Sequence, residues 1–371
     1  MKNVKIILVT FLLLMYTNSV AYAMPPETSG KSSVLMDGGS GRLLYEENSR
    51  DKLPMASTTK IMTAIVALEY GKLDEKVTVA PEASGVEGSS IWLSPEETHT
   101  LEDLLYGLML RSGNDAATAI AIHIGGSVEG FARLMNQTAR KVGAVDTNFM
   151  NPHGLHEENH YTTAYDLALI TSYGMRNSDF EAIVSTKHHT IPWEGHEWDR
   201  AMRNKNKILW SYEGANGVKT GYTKKAGRCF VGSSKRDGLQ LVAVVLNCGP
   251  MFEESVALMD YGFANYKSVT LIDEGQAIQT LPVINGRKNE VQLITKKDYT
   301  VALRPEEAEK IVEKILLPSE LEAPIEKGQW VGSLQIYLDD KLMEEIPLVT
   351  QQAVTKRSIW DFFRRVVKFG R

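Results

Sequence analysis

Cysteine is almost missing from this chain: two in 371 residues, Cys229 and Cys248. That count leaves no room for a disulfide-stapled framework. No histidine pattern beside either thiol suggests catalysis or metal binding. Both cysteines belong to an expected hairpin, with strands Gly227–Ser234 and Leu239–Asn247 joined by Lys235-Arg236-Asp237-Gly238. If Ser234 pairs with Leu239, Cys229 lies opposite Val244 and Cys248 sits several residues away along the ladder. Both are therefore read as free thiols. Long apolar runs are scarce too. The longest, Ile6–Tyr16, is broken only by Thr10 and is shorter than the roughly 20 residues needed to span a bilayer. There is no internal repeat and no low-complexity tract. The formal net charge of −5 lacks the basic excess of a nucleic-acid binder. Basic charge collects only in the last stretch, Lys356–Arg371.

What is present begins with an address. Lys2 and Lys5 precede the apolar run, and Ala21-Tyr22-Ala23 offers a small-x-small cleavage site. Residues 1–23 are read as a secretory leader, with the mature chain starting near Met24. The length suggests two or three domains. Residues 24–267 carry a hairpin (Ser33–Asp37 and Arg42–Glu46 around Gly38-Gly39-Ser40-Gly41) and then a helical middle. Helices are expected from Thr58 to Tyr70 with a Gly71 C-cap, and at Leu101–Leu110, Asp115–Ile124, Val128–Val142 and Thr163–Met175. Strands follow at Val218–Tyr222 and in the cysteine-bearing hairpin, then a helix from about Glu253 to Tyr266. Strands at both ends with helices between imply one antiparallel sheet flanked by helices, an α/β (α+β) domain. Residues 268–355 alternate short strand-like pieces such as Thr280–Val283, Val291–Ile294, Tyr299–Leu303 and Gly332–Leu338, a small β-rich domain. In 356–371, Ile359, Phe362, Phe363, Val366 and Val367 fall on one helical face, with Arg364, Arg365 and Lys368 on the other. A basic amphipathic helix of this kind suits an anionic membrane surface.

Three motifs stand in order: Ser57-Thr58-Thr59-Lys60, Ser112-Gly113-Asn114 and Lys219-Thr220-Gly221. A serine hydroxyl is a weak nucleophile until a base takes its proton. Lys60, three residues on, shares a helix face with Ser57, and burial can lower a lysine pKa enough to make it that base. A helix N-terminus adds a favourable dipole. Ser112 can relay a proton to the leaving group, and Asn114 can hold the substrate amide and Lys60. Lys219 and Thr220, on an expected exposed strand edge, offer charge and a hydroxyl to a carboxylate, and Gly221 leaves room for a substrate. Each motif has a bland reading: Ser57 as a helix cap, Ser112-Gly113-Asn114 as a capping loop, Lys219-Thr220-Gly221 as a strand end. A second S-x-x-K, Ser49-Arg50-Asp51-Lys52, lies in a polar loop with an acid beside its lysine and is read as chance. His153 and Asp166 are assigned structural roles.

The order and context of the trio match the signature of serine penicillin-binding proteins and class A β-lactamases. Longer stretches narrow this: Pro54-Met55-Ala56-Ser57-Thr58-Thr59-Lys60-Ile61-Met62-Thr63, Met109-Leu110-Arg111-Ser112-Gly113-Asn114-Asp115-Ala116-Ala117, Asn151-Pro152-His153-Gly154-Leu155 and Gly217-Val218-Lys219-Thr220-Gly221-Tyr222-Thr223. With them the chain resembles the serine D-alanyl-D-alanine carboxypeptidases, the low-molecular-mass penicillin-binding proteins, from about Ser33 to the tail. The resemblance implies a transpeptidase-like domain, a β-rich domain and a membrane-binding tail. It implies attack by Ser57 on peptidoglycan stem pentapeptides, an oxyanion hole from the backbone N–H groups of Ser57 and Tyr222, and β-lactams as covalent inhibitors. It implies no metal or organic cofactor and no nucleic-acid partner, and a location on the outer face of the cytoplasmic membrane. A DD-endopeptidase, a β-lactamase-like enzyme and a penicillin-binding sensor without turnover are the rivals. No Glu-x-x-Leu-Asn run supplies a class A deacylating glutamate. One departure stands out. Many relatives place a carboxylate-binding arginine shortly after the second hairpin strand, and Asn247–Ser255 has none. The carboxylate is left to Lys219 and Thr220, or to a borrowed Arg228.

Overall fold

A computed structural model describes residues 23–193 and 195–358. The expected leader, apart from Ala23, and the tail from residue 359 onward lie outside the described residues. The chain opens with the hairpin Ser32–Asp37 (β1) and Leu43–Glu47 (β2). Asp37 closes its turn by accepting from Gly39 N and Ser40 Oγ. A single 3-10 turn, Ala56–Thr59, leads directly into the helix Lys60–Tyr70 (α1). Two short strands, Lys76–Thr78 (β3) and Thr98–Thr100 (β4), pair with each other. The helices Leu101–Tyr106 (α2), Asn114–Gly125 (α3), Val128–Lys141 (α4), Ala164–Gly174 (α5) and Ser178–Ser185 (α6) follow. Then come the pair His188–Ile191 (β5) and Arg200–Arg203 (β6), and a short turn of helix at Ile208–Ser211 (α7). Ala215–Thr223 (β7), Gly227–Arg236 (β8), Leu239–Leu246 (β9) and the helix Met251–Asn265 (α8) complete the unit.

These strands form one antiparallel sheet in the order β2-β1-β9-β8-β7. Strand β9 shows why it sits at the centre. Its sequence LQLVAVVL is apolar on both faces, so neither face can meet water. Val242, Val244 and Leu246 pack under the helical layer with Ile61, Leu104 and Ala117. Leu241, Ala243 and Val245 pack against Leu258 and Met259 of α8. Each such side chain, fully buried, stabilises the fold by roughly 1.5–3 kcal/mol. Strand β7 is the sheet's edge, and it packs against the 3-10 turn.

From residue 267 the chain is β-rich: Lys267–Ile272 (β10), Ala277–Ile284 (β11), Glu290–Thr295 (β12), Tyr299–Leu303 (β13), Ile311–Leu316 (β14), Leu321–Glu322 (β15), Trp330–Leu338 (β16) and Lys341–Thr350 (β17). A six-stranded sheet runs β14-β16-β17-β12-β11-β15, and β10 pairs with β13 over a core of Tyr299, Leu334, Ile336 and Leu348. Arg42 ties this unit to the first through Glu307 at 2.6 Å and the Ala302 carbonyl at 2.5 Å. Among the described residues, no helix is long and apolar enough to cross a membrane.

Four local expectations change. The cysteine hairpin is longer than expected: Ser234 pairs with Leu241 rather than Leu239, and Val231, not Cys229, lies opposite Val244. The reason is turn chemistry. Asp237 (φ 46°) and Gly238 (φ 81°) form a two-residue turn, so pairing continues through Arg236 and Leu239. Both thiols are free and buried, as read. Helix α2 ends at Tyr106 and widens into a π-turn, Gly107–Arg111, where Gly107 packs so closely on Ile91 that a Cβ would lie 2.6 Å from its Cδ1. Gly71 does cap α1, but in an extended conformation; it is glycine because Leu101 and Glu75 press on it, 2.5 and 2.7 Å from a Cβ position. Ser57 sits in the 3-10 turn ahead of α1 rather than in the helix proper.

Candidate active site

The 3-10 turn presents Ser57 to a cleft of about 340 Å³ lined by Ser57, Ser112, Lys205, Thr220, Gly221 and Arg228, among others. Lys60 follows one turn later and is wholly buried. Its Nζ lies 3.2 Å from Ser57 Oγ, 2.7 Å from Asn114 Oδ1 and 2.7 Å from the His153 carbonyl. Burial, reinforced by the like charges of Lys219 and Lys205 and opposed by Asp115, holds its pKa well below the usual lysine value. A neutral amine has two N–H bonds and one lone pair. In that form two N–H bonds would serve the Asn114 and His153 oxygens, and the lone pair would face the Ser57 hydroxyl.

Asn114 opens α3, and its side-chain amide donates to the Glu87 carbonyl at 2.5 Å, which turns Oδ1 toward Lys60. Asp115 beside it accepts from Ser90 Oγ and from the backbone N–H groups of Ile91, Leu93 and Ala116. That clamp fixes the loop carrying Ser89, another cleft residue. Ser112 precedes them with φ 67°, and its buried hydroxyl has no hydrogen-bond partner among the described residues. A buried orphan hydroxyl is costly unless something else binds it.

Strand β7 supplies the opposite wall. Gly221 runs so close to the 3-10 turn that a Cβ there would sit 3.0 Å from Ser57 N and 3.1 Å from Thr58 N. Tyr222, next along, is exposed at the cleft. Lys219 departs from the expected exposed edge. It is buried, donates to the Thr220 carbonyl at 3.0 Å, and burial together with Lys205 lowers its pKa to about 7. The eight residues chosen from sequence thus come together around one cleft or directly behind it.

The second S-x-x-K does not form a pair. Ser49 Oγ donates to Glu46 and Lys52 bonds Asp146. His153 contributes its carbonyl; its ring accepts from Leu155 N, and burial beside Lys60 lowers its pKa to about 3. Asp166 accepts from Asp146 N and Thr147 Oγ1, a loop anchor. Sequence reasoning missed Lys205, whose Nζ reaches Ser89 Oγ at 3.4 Å, and the Asp115 clamp. It also missed the buried Arg200–Glu97 pair at 2.6 Å, which joins β6 to the loop after Trp92. Only Asp115 carried a signal, being contiguous with Ser112-Gly113-Asn114. Among the described residues, no group of three or more His, Cys, Asp or Glu side chains is placed to hold a metal ion.

A serine beside a buried lysine of lowered pKa, faced by an edge strand that carries a second buried lysine, places this fold and cleft in the class of penicillin-binding proteins. The chain belongs to the D-alanyl-D-alanine carboxypeptidase family of serine peptidases, whose pattern matches residues 19–249. A second pattern, that of the C-terminal domain of penicillin-binding protein 5, matches residues 266–356. The chain is 32% identical to D-alanyl-D-alanine carboxypeptidase DacF of Bacillus subtilis over 346 residues, covering 91% of this chain and 89% of that one. It is 34% identical to DacC of Escherichia coli, covering 91% and 88%. Among solved structures, penicillin binding protein 5 from Haemophilus influenzae superposes with a TM-score of 0.76 at 30% identity, covering 90% of this chain and all of that one.

Proposed function

We propose that the protein is exported, removes the terminal D-alanine from peptidoglycan stem pentapeptides through an acyl-enzyme on Ser57, and is acylated by β-lactams at the same serine. Neutral Lys60 takes the Ser57 proton as Oγ attacks the carbonyl between the two D-alanines. The backbone N–H groups of Ser57 and Tyr222 receive the oxyanion; one such donor typically contributes roughly 3 kcal/mol to transition-state stabilisation. The tetrahedral intermediate collapses, the C–N bond breaks, and the proton reaches the departing amine from Lys60 by way of Ser112. Water then hydrolyses the ester and returns Ser57. Asn114 holds the substrate amide and Lys60 together, Thr220 meets the substrate carboxylate, and Gly221 lets the peptide lie along the free edge of β7 as an added strand. The domain limits 24–267 and 268–355 and the membrane-seeking helix 356–371 belong to the same reading.

One observation carries it: wholly buried Lys60 places its Nζ 3.2 Å from Ser57 Oγ and 2.7 Å from each of two oxygen acceptors, Asn114 Oδ1 and the His153 carbonyl. The test is Ser57→Ala against Ser49→Ala. The first abolishes D-alanine release and covalent labelling by fluorescent penicillin, and the second changes neither. Labelling that survives Ser57→Ala rules the assignment out.

A further inference from the structure

One exposed surface has no part in the chemistry above. It begins at Trp92, in the segment between β3 and β4 that also carries the cleft residue Ser89. Trp92 is 72% exposed, and its backbone stands at φ 64°. A bulky side chain is rare in that region of backbone space, and such strain persists only where the surroundings impose it. Here they do. Asp115 accepts from the backbone N–H groups on either side, those of Ile91 and Leu93. Trp92 N donates to Ser90 Oγ at 2.8 Å, and its carbonyl accepts from Arg200 Nη2 at 2.8 Å. Arg200 is itself buried and paired with Glu97. The indole is therefore held out in solvent from a fixed base. Arg200 also joins Trp92 to a second aromatic group. Its guanidinium lies over the Trp193 ring, 4.7 Å from the centroid. Trp193 meets His196 at 4.2 Å between centroids, and His196 meets Trp198 at 5.7 Å. Trp198 is 63% exposed. These rings belong to the connection between β5 and β6, and β6 leads on to the cleft residue Lys205. Both aromatic groups thus sit on segments that run into the rim of the cleft. Ser89 is three residues from Trp92 and Lys205 is five from Arg200, spans of at most roughly 11 and 18 Å.

We infer that Trp92 and Trp198 bind the sugar chain of peptidoglycan, the polymer to which the stem peptide is attached. The inference rests on the carboxypeptidase reading and extends its substrate from a peptide to a glycan-linked peptide. Three features support it. An indole offers a broad flat face of negative potential, on which the slightly positive C–H bonds of a pyranose ring can lie. Exposed carboxylates stand next to the rings in sequence, Glu96, Glu197 and Asp199, and carboxylates accept hydrogen bonds from sugar hydroxyls. The same acids oppose an anionic bilayer, and rings set among polar residues do not make the continuous apolar patch that a protein partner would cover. The reach also fits. A pentapeptide spans at most roughly 18 Å, so a stem peptide seated at Ser57 brings its sugar end to the distance of these rings.

The experiment titrates the mature protein with glycan strands stripped of their stem peptides, so that calorimetry reads binding without turnover. Wild type binds the strands. Trp92→Asn removes the indole with a residue that tolerates the left-handed backbone, and it weakens binding roughly two- to tenfold, the range of one aromatic contact. Trp198→Ala does the same, and the double variant loses more. Trp92→Phe keeps a flat ring and recovers part of the affinity. A second readout is the ratio of kcat/KM for a glycan-linked pentapeptide to that for the free pentapeptide, which falls in Trp92→Asn and Trp198→Ala through KM. Thermal melting establishes that each variant is folded, and Trp198→Ala carries the test if Trp92→Asn is not. Strands that do not bind wild type, or that bind the folded variants as tightly as wild type, overturn the inference. Wild-type protein that binds the strands but releases D-alanine from neither pentapeptide overturns the carboxypeptidase reading instead.

Discussion

Replacing Lys219 with methionine should make the protein more stable and less active. The lysine pKa falls from 10.5 to about 7 on folding because the ammonium is fully buried and faces Lys205. The unfolded chain therefore binds more protons than the folded one between pH 7 and 10.5, and wild-type stability rises with pH across that window. At pH 7 the shift costs about 4 kcal/mol, from 1.36 kcal/mol per unit. Methionine fills similar space without charge. It also leaves the Thr220 carbonyl without its donor, a loss of about 1–3 kcal/mol. The net gain is then roughly 1–3 kcal/mol at pH 7, which for a domain of this size raises Tm by about 2–10 °C. The gain shrinks toward pH 10.5, where the unfolded lysine is neutral as well. Calorimetric melting of both proteins from pH 6 to pH 10 reads this directly. A Lys219→Met protein that melts lower than wild type at pH 7, or whose difference from wild type is constant with pH, refutes the reasoning. Penicillin labelling should slow in the same variant, because Lys219 is the largest like-charge influence on Lys60.

Lys205→Met removes another cation that depresses Lys60. The Lys60 pKa should rise, so the acid limb of the labelling rate moves to higher pH; an unmoved limb would show that Lys205 does not tune the base. Gly154→Ala should unfold the 3-10 turn or displace it, since its φ is +88° and a Cβ would meet the Ala56 carbonyl at 1.9 Å. The positive φ alone costs at least about 1 kcal/mol, and melting with labelling would report both effects. Deleting Ser358–Arg371 should release the mature protein from anionic vesicles while soluble-peptide activity persists, because each Lys or Arg near such a surface adds roughly 1 kcal/mol. A truncated protein that co-sediments as well as the full-length one refutes the membrane role.

The parts legible in the sequence were those governed by short-range rules. Strand β9 reads as a buried strand because all its residues but Gln240 are apolar, and α1 reads as a mostly buried helix because apolar residues dominate it. The motifs named the residues around the cleft because acyl transfer restricts which side chains can serve. What failed depended on neighbours distant in sequence. Gly71 looks like an ordinary cap until Leu101 and Glu75 are placed against it. The hairpin slipped by two residues because Asp237-Gly238 was read as part of a four-residue loop. Lys219 was read as exposed because a lysine on an edge strand usually is. Its burial comes with the packing of β7 against the 3-10 turn and α6, elements that no local pattern brings together.

That last miss bears on how the site is held. Four features near Ser57 run against local preference: Ala56 at φ 48°, Ser112 at φ 67°, two fully buried lysines, and a buried hydroxyl without a partner. Strained residues of this kind cost of order 1–3 kcal/mol each and persist only where the surroundings over-determine them. Here the surroundings can be named. Gly154 leaves space for the Ala56 carbonyl, and Asp115 clamps the loop beside Asn114 with four hydrogen bonds. The apolar α1 then keeps Lys60 from water. Lys219 repels the ammonium form of Lys60, and that repulsion is useful, because it lowers the affinity of Lys60 for a proton. If both were left charged, Ser57 would have no base. With both uncharged, the cleft would keep only its outer cations, Arg228 and Lys205. Charge on Lys219 thus favours a deprotonated Lys60 beside Ser57, so the placement of Lys219 behind the cleft belongs to the design of the base as much as the burial of Lys60 does.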